Sequence, residues 1–558
     1  MAHSSIIGKD MLQMLMFSLY PEPETIYREY LQNASDSIQE AKIAGILGEG
    51  EGHVTIKISE TKQQIVINDD GIGIPSDRAE AVLKDIAASP KKNKSYVAGY
   101  YGIGRLVGAG YCNQLVFRTS CKDETLVSVL VIDVQKIRDC LDDESNAMTA
   151  TEVFDSAASF SIENGEDADK HYFEVNLNDI LPEYAENLLD ENKIRDYLIQ
   201  VAPIDFTAPF KSTLVQPSLE TTEENIKEEI TDYVTNLNNV KVSLNDIVDI
   251  RKRYSYKVEG LDDEIDTLRY FVLKDKSFGT LAWGWYAVTA FTVQIPDTIP
   301  NTNPKRPVLT RGLRLRIKNI QIGTATFFDG TEYFKQARSN KYFNGEIHVV
   351  NENIKPTTDR SDLVPSKETL ALKKLLTDFF NGEMQGVYQK ASKAKKTLQA
   401  WKETEQKKAV LADKEKKVGL SASDKEELNE IPDKLRKIKK DIQQYIERPA
   451  TVASMDSEKK GVALMLNIYQ KEICSIERKI QDGSIKDEPS RGTSKKMYKN
   501  SRVLSEQDNF EGLNEKYSLE QIEVIKRIFK IVNVNFYRDS YKDFAKKFKT
   551  TILKELKK

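Results

Sequence analysis

Glu29, Asn33 and Asp36 are spaced by four and then three residues, so a helix through them carries two carboxylates and an amide on one face. A second group follows in Ile65-Val66-Ile67-Asn68-Asp69-Asp70-Gly71-Ile72-Gly73, where an apolar run ends in acid and Gly-x-Gly. Asp69 at the end of such a strand could accept a hydrogen bond from an exocyclic amine such as that of adenine, and Gly71 and Gly73 allow close backbone approach to a ligand. A third group, Gly99, Gly102 and Gly104, precedes an apolar segment and puts free backbone N–H groups at a helix start, where phosphate is favoured. The polar, basic loop before it, with Ser89 and Lys91, is suited to close over a polyphosphate as a lid. Each group alone has an ordinary reading: a solvated helix face, an Asp-Gly turn, a glycine-rich loop. Their occurrence together, in this order, between residues 28 and 106 points to a nucleotide site.

The elements needed to position these residues are legible around them. Residues 10–20 have helical periodicity that Pro21 and Pro23 end. Residues 24–44 form a helix with Ile26, Tyr30, Ala34 and Ile38 on one apolar stripe. Residues 54–59 and 64–68 alternate like a strand hairpin, 76–87 are helical, and 114–119, 125–133 and 173–177 are strands. The acidic, small-residue stretch 141–171 is expected to be a loop or insertion, 181–200 a helix, and 201–210 a domain exit. Residues 222–380 mix strands, clearest at 281–293, 312–321 and 345–350, with helices. Beyond 384, Val387, Ala391, Ala394, Leu398 and Trp401 recur at alternating four and three. So do Leu428, Ile431, Leu435, Ile438 and Ile442, and again Val462 to Ile480; these stripes predict antiparallel coiled-coil hairpins. Residues 483–502 read as a linker and about 517–558 as a last helical unit.

Bulk properties agree with a multidomain protein. The 558 residues exceed one core at about 150 residues per domain. With 40% hydrophobic and 30% charged residues and a net charge of −4, no global field attracts nucleic acid. The four cysteines have no metal-ligand spacing with the four histidines, and a reduced compartment is the simple reading. No secretory leader and no apolar run of about 18 residues is present, so a cytoplasmic protein without membrane association is expected.

Over residues 10–210 these motifs resemble the GHKL ATPases, which include the ninety-kilodalton heat-shock chaperones, DNA gyrase, MutL, histidine kinases and microrchidia proteins. Arg28-Glu29-x-x-x-Asn33-Ala34-Ser35-Asp36 and Ile86-Ala87-Ala88-Ser89 are most similar to the chaperone form. The resemblance implies an N-terminal GHKL (Bergerat) α/β sandwich over 1–215 and a middle α/β domain over 216–383; with the coiled-coil helices that periodicity puts at 384–482, a linker over 483–504 and a helical segment over 505–558, an α+β protein is expected. The resemblance also implies ATP and Mg2+ as ligands, with Glu29 as general base, Asn33 on the metal, Asp36 supporting the base-binding side, Asp69 on the adenine amine, and Gly99, Gly102 and Gly104 around the phosphates. One departure stands out. The family often has Gly-Thr before a late strand, with the threonine near adenine, and here His171-Tyr172 precedes residues 173–177. In the middle domain, 345–362 resembles the chaperone strand and loop whose arginine reaches the γ-phosphate, making Arg360 the candidate and Lys355 the reserve. Residues 312–317 also resemble a strand of that domain, and beyond 385 no resemblance is found.

The favoured reading is a chaperone-type homodimeric ATPase that closes on ATP, reopens on hydrolysis and acts on a protein client. The second is a microrchidia- or MutL-like nucleic-acid clamp using the lysines at 390–396, 434–440 and 495–499, which otherwise read as solvated faces. A histidine kinase is excluded because only His3 precedes Glu29, with no helix pair for it.

Overall fold

The alternating apolar residues between positions 53 and 69 form a hairpin in which β1 (His53–Ser59) pairs antiparallel with β2 (Gln64–Asp69), burying Val54, Ile56, Ile65 and Ile67. The computed structural model describes residues 7–18, 20, 22–86, 104–259, 264–289, 294–302, 305–330 and 332–447. The hairpin belongs to a seven-stranded sheet with β3 (Cys112–Ser120), β4 (Leu126–Asp133), β5 (Ala158–Asn164), β6 (Tyr172–Ile180) and β7 (Lys241–Leu244), in the order β5-β4-β3-β6-β2-β1-β7. All pairings are antiparallel except β1 with β7. The sheet therefore takes its last strand from beyond residue 215.

Helix Thr25–Ile43 lies on this sheet through the expected stripe: Ile26, Tyr30, Ala34 and Ile38 are each at most 2% exposed and share a core with Ile56, Ile67, Phe117 and Leu177. Full burial of a large apolar side chain contributes about 1.5–3 kcal/mol, so the stripe fixes which face the helix turns away from the sheet. The Tyr30 hydroxyl donates to the Arg105 carbonyl at 3.0 Å and accepts from the Gly108 N–H at 3.0 Å. It thereby ties the helix to the short 3-10 helix Gly104–Gly110.

The stretch 141–171 is not the irregular loop its composition suggested. Thr149 and Glu152 form a capping box that starts helix Ala150–Ala157, and β5 follows at the edge of the sheet, paired with β4. An edge strand exposed on most of its length has no apolar period to read.

A second, five-stranded sheet has the order β11-β10-β12-β9-β8, with β8 (Ile265–Asp275), β9 (Gly279–Thr289), β10 (Gly312–Ile317), β11 (Ile320–Ile322) and β12 (Asn344–Val349). Trp283 and Trp285 on one face pack against Phe206, Phe210 and Tyr233 from the preceding segment. Phe271 and Tyr286 on the other meet Phe379 of helix Lys367–Phe379. Strands β10 and β12 are buried throughout although they carry Arg314, Arg316, Glu346 and His348. Those charges face partners: Arg316 Nε meets Glu346 Oε1 at 2.7 Å, and Arg316 Nη2 donates to the Gln200 carbonyl of helix Glu191–Val201 at 2.8 Å. The two sheets are thus joined by hydrogen bonds from buried arginines.

Helices Gln385–Lys417 and Ala422–Glu447 form an antiparallel hairpin, with Ala394, Leu398, Ile431 and Leu435 buried between them and Lys414 paired with Asp424 at 2.9 Å. The stripe from Val462 to Ile480, the linker and the C-terminal segment lie outside the described residues. Among the described residues no helix is long and apolar enough to cross a membrane.

Candidate functional site

The acidic face of helix Thr25–Ile43 and the Asp-x-Gly-x-Gly turn after β2 are clamped together. The Ile72 N–H donates to the Ser37 carbonyl at 3.2 Å. A Cβ on Gly71 would lie 2.0 Å from Ser37 Oγ and 2.5 Å from Asp69 Oδ1, so only glycine fits between turn and helix. Gly73 has φ +70°, and a Cβ there would lie 2.0 Å from the Ser120 carbonyl. The close approach that these glycines permit is to Ser37 and Ser120. Asp69 is 4% exposed, and its Oδ1 accepts the Gly71 N–H at 2.9 Å. This bond fixes the carboxylate at the strand end.

The departure at His171-Tyr172 has a structural counterpart. β6 puts Phe173 opposite Asp69, and Thr119 of β3 lies opposite Phe173. The Thr119 hydroxyl is engaged with the backbone, donating to the Tyr172 carbonyl at 2.8 Å and accepting the Ile74 N–H at 2.9 Å. A ring nitrogen of His171 meets the Gly71 carbonyl at 2.8 Å, a second contact that holds the turn.

On the helix, Asp36 is 2% exposed and Glu29 5%. Asn33 is half-buried, and among the described residues its amide makes no hydrogen bond. Glu29 faces Gly104 with one oxygen: a Cβ on Gly104 would be 2.9 Å from Glu29 Oε2. Its other oxygen, Oε1, accepts from Arg360 Nε at 3.1 Å and lies 3.8 Å from Arg28 Nε. Ser89, Lys91, Gly99 and Gly102 lie outside the described residues.

Arg360 comes from the loop after β12, 331 positions from Glu29, and is 3% exposed. It adopts φ +57°, a left-handed backbone that a bulky residue holds only when its surroundings fix it. They do so here. The Arg360 N–H donates to the Thr357 carbonyl at 3.0 Å, and the Gly323 N–H donates to the Arg360 carbonyl at 2.8 Å. Asp359 Oδ1 accepts the hydroxyls of Thr357 and Ser361 at 2.6 and 2.9 Å. Burial works against the charged Asp359 carboxylate, but these hydrogen bonds hold it below the ordinary range. Lys355, on the same loop, shares a backbone bond with Val364.

Arg28 is the participant that motif reading passed over. It is 7% exposed, and its Nη2 donates to the Asp359 carbonyl at 2.7 Å, so it grips the Arg360 loop from the helix that carries Glu29. Its place directly before Glu29 was the available signal. Behind Arg28 and Arg360 a cavity of about 1010 Å³ opens between helix Glu191–Val201 and the turns of the second sheet, lined also by Tyr20, Arg195, Arg306 and Phe327.

An acid-bearing helix thus lies on a mixed sheet beside a clamped glycine turn and meets an arginine delivered from a second sheet. Residues 22–178 match the family of histidine kinase-, DNA gyrase B-, and HSP90-like ATPases, and this segment is a GHKL-type ATPase domain related to that of HtpG. Among the chain's relatives is the chaperone protein HtpG of Bordetella pertussis, 32% identical over 113 residues, covering 17% of this chain and 18% of the relative. HtpG of Actinobacillus pleuropneumoniae is 28% identical over 134 residues, 21% of each chain. HtpG of Porphyromonas gingivalis is 29% identical over 99 residues, 15% of this chain and 14% of the relative. The chain thus spans about a fifth or less of the length of the curated relatives it matches.

Proposed function

We propose that this chain hydrolyses ATP in a chaperone-like cycle, as a homodimer that closes on the nucleotide and reopens after hydrolysis. The observation that carries the reading is the buried contact between Glu29 and Arg360, two residues of opposite charge brought together from separate sheets.

In this reading Asp69 accepts the adenine amino hydrogen, Asp36 supports the base-binding side, and the N–H groups around Gly99, Gly102 and Gly104 receive the phosphates. Ser89 and Lys91 belong to the lid. Glu29 orients the attacking water and takes its proton. Arg360 is the cation for the terminal phosphate, and charge that builds on the phosphate oxygens competes with Glu29 for its guanidinium. Arg28 keeps the loop in place while that exchange occurs, because it binds the Asp359 backbone and not the Arg360 side chain. Magnesium suits the donors present: an amide oxygen on Asn33 beside carboxylates is a hard-oxygen set, and the ion would supply positive charge to the phosphates.

The test is Glu29→Gln. It keeps the shape of the side chain and removes the base. Phosphate release is expected to fall by about a hundredfold or more with ATP affinity retained, since general-base catalysis is worth roughly 10²–10⁴-fold. Turnover at the wild-type rate would remove Glu29 from this role.

A further inference from the structure

A chain of amides links the face of the Glu29 helix opposite the acids to the hairpin that supports Arg360. Ser35, between Asn33 and Asp36 in sequence, is 1% exposed, and its Oγ accepts from Asn238 Nδ2 at 2.9 Å. The Asn238 carbonyl accepts from Asn319 Nδ2 at 2.9 Å, and the same amide nitrogen lies 2.9 Å from Asn239 Oδ1 and 3.5 Å from the Ile204 carbonyl. The other end of the Asn319 carboxamide faces the second sheet: Oδ1 accepts from Lys252 Nζ at 2.7 Å, and Lys252 continues to Glu346 Oε2 at 2.8 Å. The Asn319 backbone carbonyl accepts from Arg316 Nη1 at 2.9 Å. Asn319, 1% exposed, thus directs its nitrogen to the segments leaving the first sheet and its oxygen to the core of the second.

The position of Asn319 in the chain gives this arrangement a consequence at the site. Lys318 and Asn319, at φ +50° and +63°, are the two-residue turn between β10 and β11, a tight hairpin that asparagine suits. β11 runs directly to Gly323, whose N–H holds the Arg360 carbonyl at 2.8 Å. Where Asn319 sits sets where β11 begins, and β11 sets where Arg360 is anchored. An asparagine chosen for its turn alone could be replaced by glycine, which adopts the same φ; glycine has no carboxamide to reach both layers.

We infer that Asn319 is a positioning residue for the hydrolysis proposed above: its carboxamide registers the Arg360 loop against the Glu29 helix. The inference rests on that ATPase reading. It places Asn319 upstream of Arg360, so the effect of removing the carboxamide must pass through the arginine.

The experiment is a double-mutant cycle on the full chain with Asn319→Gly, Arg360→Ala and their combination, following ATP affinity by calorimetry and the single-turnover hydrolysis rate. Asn319→Gly is expected to slow hydrolysis by about tenfold or more, since misplacement by an ångström can cost about a hundredfold, and to leave ATP affinity unchanged. In the Arg360→Ala background the same change is expected to slow it no further. A merely structural asparagine would give losses that multiply, and would lower affinity with rate. Multiplying losses, or an unchanged rate in Asn319→Gly, overturn the inference while leaving the ATPase reading intact. A wild-type chain that does not hydrolyse ATP overturns both. Should Asn319→Gly fail to fold by circular dichroism, Asn238→Ala, which breaks only the side-chain bond to Ser35, carries the same cycle: a slower rate absent from the Arg360→Ala background is expected, and an unchanged rate contradicts the inference.

Discussion

Glu29 and Arg360 make an ion pair from which water is largely excluded, and removing one member of such a pair leaves a costly uncompensated charge. Arg360→Ala is therefore expected to lower turnover by about tenfold or more with ATP affinity little changed; an equal loss of affinity and rate, measured by calorimetry and phosphate release, would remove Arg360 from the hydrolysis step. His348 supplies a pH signature away from the site. It is fully buried on Trp283, with ring centroids 4.5 Å apart, and faces Glu346, Lys252 and Arg316. Burial, helped by the two cations, pulls its pKa to about 4, although the Glu346 hydrogen bond and charge raise it. An unfolded histidine takes its proton near pH 6.5, so between about pH 6.5 and 4 the unfolded chain binds more protons and stability falls with falling pH. That contribution is intact above about pH 6.5. His348→Gln is expected to flatten the loss in urea denaturation between pH 7 and 4.5, by an amount on the order of 3 kcal/mol or less; an unchanged pH slope would contradict it. Motif spacing points to Glu29, Asp36 and Asp69, and the resemblance of residues 345–362 points to Arg360. The grip of Arg28 and the amide chain through Asn319 could not be read from sequence, because each depends on a partner more than 75 residues away.

Elements with an apolar stripe or an apolar run were legible, and an exposed edge strand and a very short strand were not. Helix Thr25–Ile43 and the β1–β2 hairpin show their periods directly, because apolar residues line one face and polar residues the other. The strands expected at 312–321 and 345–350 appear as β10 with β11 and as β12, whereas β5 is mostly exposed and its pattern shows no apolar alternation. β7 escaped notice because four residues are too short to carry a period and it pairs across the chain with β1. At this scale the glycine turn makes the sharpest prediction. Gly73→Ala would force a side chain into left-handed backbone and against the Ser120 carbonyl, and is expected to destabilise the protein by about 1–3 kcal/mol with a parallel loss of nucleotide binding. A melting temperature and ATP affinity equal to wild type would show that the turn is not held as described.

For the whole molecule, the Glu29–Arg360 contact links two sheets, and the helical hairpin extends from the second. Lysines on that hairpin are matched by acids, as in Lys407 with Glu427, Lys414 with Asp424 and Lys434 with Glu430. Of the lysines at 390–396, 434–440 and 495–499, only Lys434 is among these pairs, and binding to double-stranded DNA with a steep salt dependence would support the nucleic-acid clamp. Sizing with and without a non-hydrolysable ATP analogue is expected to give a more compact dimer with the analogue; a monomer in both states would contradict the dimeric cycle. The most direct measurement is calorimetric titration of ATP and magnesium into wild-type protein and Asp69→Asn. Saturable, magnesium-dependent binding is expected in the wild type, with affinity about tenfold or more weaker in the variant, as expected when a buried hydrogen bond to a charged group is lost. Absence of binding in the wild type, or equal affinity in the two, would contradict a nucleotide site built on Asp69 and the acidic helix.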